Sequence, residues 1–311
     1  MKPTRRGRVR PVKFIFPALI FIAASVPVCQ AGTVGMGSSG MYAVLGLNNN
    51  TIVSNQGTVN GSLGIAGYGP SFSPNIAGFG PSVSSNTSTV NGNVVDANAG
   101  WFSNKGNISG QAITSAATLT QNISDANAMY NTALSLSPGK VYSSISAPTT
   151  ITGNDGLNIV SVAGNITNSL TLNGSANSFF VVLVNGNVSL GDSQSLAVSG
   201  GVTADHVLYV LNGSNGTVTT GMNDVINGTL LAPGYSATLN GTVNGAILAG
   251  GQSINIQNAV INANPFAGIL PAVPVPAEVP EPAAYFITGL GLLVLLGFAR
   301  LLRRARPLQS R

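Results

Sequence analysis

Charged side chains are scarce in the central part of this 311-residue sequence. Residues 32–282 contain no arginine and only two lysines, Lys105 and Lys140, whereas all eight acidic residues of the chain fall there, a net charge of −6. The overall charge of +5 therefore comes from basic residues near the two ends. A nucleic-acid binder needs lysine and arginine to neutralise phosphates, so this composition argues against nucleic acid as a partner.

Residues that carry chemistry are equally scarce. The sequence has a single cysteine, Cys29, and a single histidine, His206, which are too few for a Cys/His metal site. Asp205 precedes His206 in a stretch typical of a strand, where neighbouring side chains point to opposite faces. We therefore expect a strand-surface histidine, and we predict that the protein is not an enzyme and uses no metal or cofactor.

The first 31 residues have the pattern of a secretory signal peptide. A basic stretch ends at Lys13, the apolar run 14–28 follows, and small residues before Ala31 favour cleavage after that residue. An uncleaved signal anchor is the alternative. Cleavage would remove Cys29 and leave an exported protein without thiols or disulfides.

The last thirty residues have the pattern of a membrane anchor. Residues 283–299 carry no charge, and as a helix they would span about 26 Å, close to the ~30 Å hydrocarbon core of a bilayer. An arginine cluster follows, made of Arg300, Arg303, Arg304 and Arg306. Because basic residues are retained on the cytoplasmic side, we predict a transmembrane helix, a cytoplasmic tail at 300–311 and a body that faces outward.

The motif Pro280-Glu281-Pro282 stands directly before that apolar run. Together, the motif, the helix and the arginine cluster resemble the bacterial PEP-CTERM sorting tail, which is also grouped under an ice-binding-protein C-terminal name. The resemblance implies a Gram-negative host that makes exopolysaccharide and an exosortase that recognises the motif and cuts nearby. It also implies that the protein is anchored in the inner membrane only transiently, before it reaches the cell surface or is secreted.

The body at 32–262 is rich in Asn-Gly turns and alternating apolar residues, which predicts an all-β fold of short strands. Residues 226–242 match residues 243–259 at an offset of seventeen, a length that suits one coil of a β-solenoid. An antiparallel sandwich is the alternative. We also predict one amphipathic helix near 112–136, a surface loop at 67–88 and a proline-rich stalk at 263–282.

The order of elements at 42–262 is similar to that of the ice-binding-like β-solenoid family, and the closing repeats resemble surface proteins grouped as choice-of-anchor A. The family implies a discontinuous solenoid with a helix along its side. A flat ice-binding surface would keep a regular column of small polar residues. Across the one clear repeat, Thr229, Thr238 and Thr242 align with Ala246, Asn255 and Ala259, which predicts that no threonine column is present.

These features predict an exported, exosortase-sorted surface or extracellular-matrix protein with a structural or adhesive role. Its partners would be the exosortase, the membrane before processing, and exopolysaccharide or ice. Ice binding is the alternative function, and a polysaccharide-active enzyme is a weaker one. The aromatic candidates for stacking on sugars are Tyr68, Phe79 and the pair Trp101-Phe102, although local packing is the simpler explanation.

Overall fold

The computed structural model describes residues 33–48, 51–65, 88–97, 107–271, 296 and 300. The chain divides into two compact units, 31–274 on the one hand and 1–30 with 275–311 on the other. In the second unit only Leu296 and Arg300 are described, and both are helical. Within the described ranges, no helix is long and apolar enough to cross a membrane.

Several predicted features lie outside the described residues. These are the signal peptide with Ala31, the loop at 67–87, the motif Pro280-Glu281-Pro282, the predicted transmembrane helix at 283–299 apart from Leu296, the arginines Arg303, Arg304 and Arg306, and the aromatic residues Tyr68, Phe79, Trp101 and Phe102.

The unit 31–274 consists of short strands and one α-helix in the part of the chain that is described. The first strands and the helix are β1 (Thr33–Val34), β2 (Tyr42–Gly46), β3 (Thr51–Asn55), β4 (Thr58–Asn60), β5 (Ser62–Ile65), β6 (Thr89–Val90), β7 (Val94–Asp96), β8 (Asn107–Ile108), β9 (Ala112–Thr114) and α1 (Ala116–Leu134). The strands after the helix are β10 (Lys140–Tyr142), β11 (Thr149–Thr152), β12 (Gly156–Val162), β13 (Leu170–Asn173), β14 (Ser178–Val184), β15 (Val188–Ser189), β16 (Ser195–Ser199), β17 (Val207–Leu211), β18 (Gly216–Thr219), β19 (Val225–Asn227), β20 (Thr229–Ala232), β21 (Tyr235–Gly245), β22 (Ile247–Ala249), β23 (Ser253–Ala263) and β24 (Leu270–Pro271). Short 3₁₀ helices occupy Gly37–Met41 and Ala204–His206.

The strands stack into a solenoid with three faces. Face 1 is a ten-stranded sheet with the order β10-β12-β14-β17-β20-β22-β2-β5-β7-β9. Face 3 has the order β11-β13-β16-β19-β21-β23-β4-β6-β8, and face 2 contains β15, β18, β3 and the first halves of β21 and β23. Faces 2 and 3 form one sheet because β21 and β23 turn the corner between them without a break in pairing.

The order of the coils in space differs from their order along the chain. β22 pairs with β2, and β23 pairs with β3 and β4, so the last coil of the chain stacks on the first. The chain thus starts in the middle of the solenoid, builds to one end at β9, and resumes at the other end with β10 after α1. All strand pairs within the three faces are parallel, which excludes the antiparallel sandwich.

Two hydrophobic layers hold the coils together. The first fills the inside of the solenoid with β-branched and leucine side chains from all three faces, including Ile52, Val188 and Ile254. The second lies between the outer side of face 1 and the helix, where Leu183 and Leu231 are buried. Face 1 is therefore apolar on both sides, as expected of a parallel sheet that is covered twice.

Helix α1 supplies the cover for face 1. The Ser115 hydroxyl caps its first turn by accepting a hydrogen bond from the Thr118 N–H at 3.3 Å. Leu119, Ala126 and Met129 lie on one side of the helix and are fully buried against the sheet. The helix is shorter than the predicted range of 112–136, because residues 112–114 pair with β7 as strand β9.

Residues 263–271 belong to the folded body rather than to the predicted stalk. Strand β24 pairs antiparallel with β1, and Phe266 and Leu270 are buried in the helix-covered layer. The Phe266 N–H donates to Thr229 Oγ1 at 2.8 Å. Burial of these two apolar side chains explains why the segment folds back despite its prolines.

Candidate binding surface

Face 2 is built from seven triplets, one from each of seven successive coils. In each triplet the middle side chain belongs to the interior core, and one outer position lies on either side of it along the strand. In spatial order the triplets are Ser144-Ile145-Ser146, Asn165-Ile166-Thr167, Asn187-Val188-Ser189, Thr217-Val218-Thr219, Ser236-Ala237-Thr238, Ser253-Ile254-Asn255 and Thr51-Ile52-Val53.

The middle residues of the triplets are all buried, with no more than 1 % of their surface exposed. They form a continuous column of Ile, Val and Ala that anchors the face to the interior core. Because side chains alternate along extended backbone, this column directs the flanking positions of the first six triplets outward. Interior packing therefore fixes two outer columns over six coils, and neither contains a charged residue.

The outer positions form a regular two-dimensional array. The second column runs Ser146, Thr167, Ser189, Thr219, Thr238 and Asn255 over six successive coils. Neighbouring coils in a sheet are about 4.8 Å apart, and positions two residues apart on one strand are roughly 6.6 Å apart. Face 2 thus presents small polar groups on a fixed grid.

The two columns use their polar atoms differently. In the first column, Asn165 Oδ1 accepts from the Asn187 N–H at 2.9 Å, and Asn187 Oδ1 accepts from the Thr217 N–H at 2.9 Å. These amides tie each coil to the next. In the second column, the hydroxyl groups of Ser189 and Thr219 have no hydrogen-bond partner among the described protein groups, so they are available to water or a ligand.

The predicted absence of a threonine column holds only in part. Thr238 pairs with Asn255, as predicted, and on its other side the column mixes threonine with serine in the order Thr219, Ser189 and Thr167. The predicted alignment of Thr242 with Ala259 is wrong, because Thr242 pairs with Val260. One extra residue in β23 shifts the register between Leu239 and Gly241, which changes the offset from seventeen to eighteen.

Face 3 carries a different pattern, which sequence reasoning missed. Five asparagines from successive coils donate side-chain hydrogen bonds to one another in the order Asn91, Asn60, Asn262, Asn244 and Asn227, at 2.7–3.0 Å. The ladder ends where Asn227 Nδ2 donates to a backbone oxygen, that of Leu196, at 3.3 Å. The recurring tetrapeptide Thr-Val-Asn-Gly at 58–61, 89–92 and 242–245 is the signal that could have revealed it.

The asparagine ladder differs from face 2 in how its polar atoms are used. Asn60, Asn262 and Asn244 each use a donor and an acceptor on neighbouring asparagines. The column beside the ladder includes the apolar Val260 and Val225. The ladder also crosses the junction between the last and first coils, where Asn60 donates to Asn262 at 2.7 Å. Its evident role is to lock coils together.

Comparison with known proteins identifies the family. Residues 47–262 match the family described as ice-binding-like. The chain belongs to this family. The curated proteins contain no match.

Solved structures share the fold of this ice-binding-like chain. An ice-binding protein from the Antarctic ascomycete Antarctomyces psychrotrophicus superimposes with a TM-score of 0.51 at 18% identity, covering 75% of this chain and 99% of that one. An ice-binding protein with antifreeze activity from an Arctic yeast gives 0.54 at 21% identity, with 80% and 98% covered. One from an Antarctic Flavobacteriaceae bacterium gives 0.54 at 15% identity, with 79% and 52% covered. At these identities the similarity establishes the fold alone.

The other candidate sites in this ice-binding-like body form no catalytic constellation. His206 lies in a 3₁₀ turn rather than on the predicted strand, and its ring stacks on Phe179 with centroids 4.2 Å apart. No cluster of His, Cys, Asp or Glu in the described ranges could hold a metal ion. A cavity of about 270 Å³ opens at the β10 end of the solenoid, and Lys140 is the one ionisable side chain among its described lining residues.

Proposed function

We propose that the protein binds ice through face 2. Membership of the ice-binding-like family and the ice-binding proteins that share its fold favour this function over the structural or adhesive role that ranked first from sequence. The observation that carries the assignment to face 2 is the column of small, mostly hydroxyl-bearing side chains repeated over six coils. On face 3 the column beside the asparagine ladder also carries threonines, but two valines interrupt it; in order it reads Val225, Thr242, Val260, Thr58 and Thr89.

Face 2 is both repetitive and rigid, as a surface that binds ice should be. Ice presents a repeating array of water molecules, and a single hydrogen bond contributes only about 0.5–1.5 kcal/mol net, so a useful affinity needs many groups in register. Threonine is β-branched and stiff at χ1, which reduces the side-chain freedom lost on binding. The grid of face 2 is already set by the buried column beneath it.

Face 2 also has the polarity that an ice surface requires. Its outer positions are uncharged, so contact with the crystal does not require removal of water from an ion, which would be costly. The hydroxyls of Ser189 and Thr219 keep their hydrogen-bonding capacity for water. On face 1 the outer side chains of the central strands, such as Val181, Leu208 and Leu231, are buried in the layer that α1 covers.

Two substitutions on a single strand test the assignment. Thr238 and Thr242 are both half-buried outward positions of β21, but the first lies on face 2 and the second on face 3. We expect Thr238→Lys to reduce the fraction of protein taken up by a slowly grown ice hemisphere severalfold, because a long charged side chain holds the face away from the crystal. Thr242→Lys is the matched control and should leave uptake unchanged. Equal uptake by both variants would remove face 2 as the site.

We further propose that the body is exported and sorted as the terminal sequences suggest. The supporting observations are the signal-like residues 1–31, the motif Pro280-Glu281-Pro282 and the apolar run with its arginine cluster. On this proposal an exosortase cuts near the motif, and the protein is held at the inner membrane of a Gram-negative cell before it reaches the surface or is secreted.

A single carboxylate tests the sorting proposal. Glu281→Ala in the full chain, expressed in a host that has an exosortase, should leave the protein unprocessed and larger on a denaturing gel. Glu278→Ala is the control, because it removes the same charge three residues before Glu281 and outside the motif. Normal processing of the Glu281 variant would refute the proposal without affecting the assignment of face 2.

A further inference from the structure

The dipeptide Asn-Gly occurs nine times in the chain, and every copy lies within the described residues. An asparagine that precedes glycine can lose its side-chain amide without an enzyme. The backbone nitrogen of the glycine, after giving its proton to hydroxide, attacks the side-chain carbonyl carbon, which closes a succinimide ring and expels ammonia. Water then opens the ring and leaves aspartate or isoaspartate, each with a new carboxylate. Glycine favours the attack because no side chain shields its nitrogen.

In eight of the nine pairs a hydrogen bond within the fold holds the asparagine side chain. Four belong to the asparagine ladder of face 3, namely Asn60, Asn91, Asn227 and Asn244. The other four are Asn173, Asn185, Asn212 and Asn240. Turning a held amide toward the next backbone nitrogen breaks its hydrogen bond, which costs free energy. These contacts therefore hinder ring closure.

Asn215 is the exception among the nine. It lies at the corner between β17 and β18, where its side chain is exposed and makes no hydrogen bond to any described group. The fold also restricts what can replace this pair. Asn215 has a positive φ of 62°, a conformation that favours asparagine or glycine. A Cβ on Gly216 would overlap the ring of Tyr235. The corner therefore retains an unprotected Asn-Gly pair.

We propose that Asn215-Gly216 is a site of spontaneous deamidation and that the reaction impairs face 2. Thr217 follows the pair directly and begins the central triplet of face 2, where its N–H donates to Asn187 Oδ1 at 2.9 Å. The product places a negative charge two residues from Thr217, beside an uncharged surface, and isoaspartate also inserts a carbon atom into the backbone of the corner. The effect on face 2 rests on the proposed ice-binding function, whereas the reaction itself does not.

Peptide mapping by mass spectrometry tests the reaction. The folded unit 31–274 is aged in warm, mildly alkaline buffer, and each of the nine pairs is followed. We expect Asn215 to react severalfold faster than Asn212 and Asn244 in the folded protein. In a control sample unfolded in urea the three should react at similar rates, because the hydrogen bonds that protect the other two are lost. If Asn215 reacts no faster than the other two in the folded protein, the site is wrong.

Uptake into ice tests the consequence for face 2. The aged sample is offered to a slowly grown ice hemisphere, and the deamidated share is compared between the ice and the remaining liquid. We expect severalfold less protein modified at Asn215 in the ice, whereas aged Asn215→Gly, which keeps the positive φ and lacks the amide, should enter ice as fresh protein does. Equal shares in ice and liquid would refute the effect on face 2. If fresh protein does not enter ice, the proposed function fails, and peptide mapping still decides the reaction.

Discussion

A tyrosine inside the solenoid gives a sharp prediction about stability. Tyr209 on β17 is fully buried in the interior core, and its hydroxyl has no hydrogen-bond partner in the described structure. Burial raises the pKa of the Tyr209 phenol far above its usual value, so the group is neutral at any ordinary pH. A buried polar group without a partner costs about 1–3 kcal/mol. Tyr209→Phe keeps the ring and removes that cost.

We expect Tyr209→Phe to raise the free energy of unfolding by about 1 kcal/mol, or roughly 2–4 °C in midpoint for a domain of this size. Tyr235→Phe is the matched control, because its hydroxyl lies 3.2 Å from the Gly186 carbonyl and 3.3 Å from the Asn212 carbonyl. That variant should lose about 0.5–1.5 kcal/mol. Urea unfolding of residues 31–274, followed by circular dichroism, measures both. If Tyr209→Phe is destabilised as much as Tyr235→Phe, the Tyr209 hydroxyl has a partner, such as an internal water, and the reasoning fails.

Two further predictions concern the helix and the ladder. The Asp125 carboxylate on α1 accepts hydrogen bonds from the N–H and the hydroxyl of Ser38, each at 2.7 Å. Burial raises the pKa of Asp125, but the hydrogen bonds from Ser38 and Gln121 lower it, and the pKa lies below its ordinary value. A carboxylate with a lowered pKa stabilises the fold at pH values above its unfolded-state pKa of about 3.9, and this stabilisation is lost as the pH falls through the folded-state pKa. Urea unfolding should therefore show Asp125→Asn less stable than wild type at pH 7, with the difference closing in acid. A difference that is constant with pH would contradict this. The second prediction is that Ala197→Asn extends the asparagine ladder of face 3 by one residue beyond Asn227, whose amide donates to a backbone oxygen. The free energy of unfolding should rise by about 0.5–1.5 kcal/mol. A lower thermal midpoint would show that the ladder does not extend.

The general form of the fold could be predicted from sequence, but the order of its coils could not. Alternating apolar residues and Asn-Gly turns indicate stacked strands, and the Ser115 cap and helical spacing indicate α1. The stacking of β22 and β23 on β2, β3 and β4 joins segments about 200 residues apart. Each of these strands has an apolar inner column that is compatible with many neighbours, so pattern alone does not select the partner.

The columns of face 2 could not be recognised in the sequence, because the number of residues per coil varies. The middle residues Ile145, Ile166, Val188, Val218 and Ala237 follow one another at spacings of 21, 22, 30 and 19 residues, so no fixed period aligns them. The one repeat that a fixed offset does reveal lies where Thr238 gives way to Asn255. The bulge in β23, where Asn258 has a positive φ of 51°, then moves Thr242 out of alignment with Ala259 and opposite Val260.

The fold of residues 263–271 could not be predicted for a similar reason. The prolines of this segment predict an extended stalk, because proline does not donate to a sheet. Residues 263–271 fold back because Phe266 and Leu270 fill the layer beneath α1. A contact of this kind depends on a tertiary surface that only the assembled solenoid provides.

Thermal hysteresis is the sharpest test of ice binding by face 2. Residues 31–274 are measured at increasing concentration beside the double variant Thr219→Lys/Thr238→Lys, with circular dichroism to show that both are folded β-structure. We predict a freezing-point gap that grows with wild-type concentration and is lost in the variant. A folded wild-type protein without hysteresis or inhibition of ice recrystallisation would contradict ice binding, and equal activity in the two proteins would contradict its assignment to face 2.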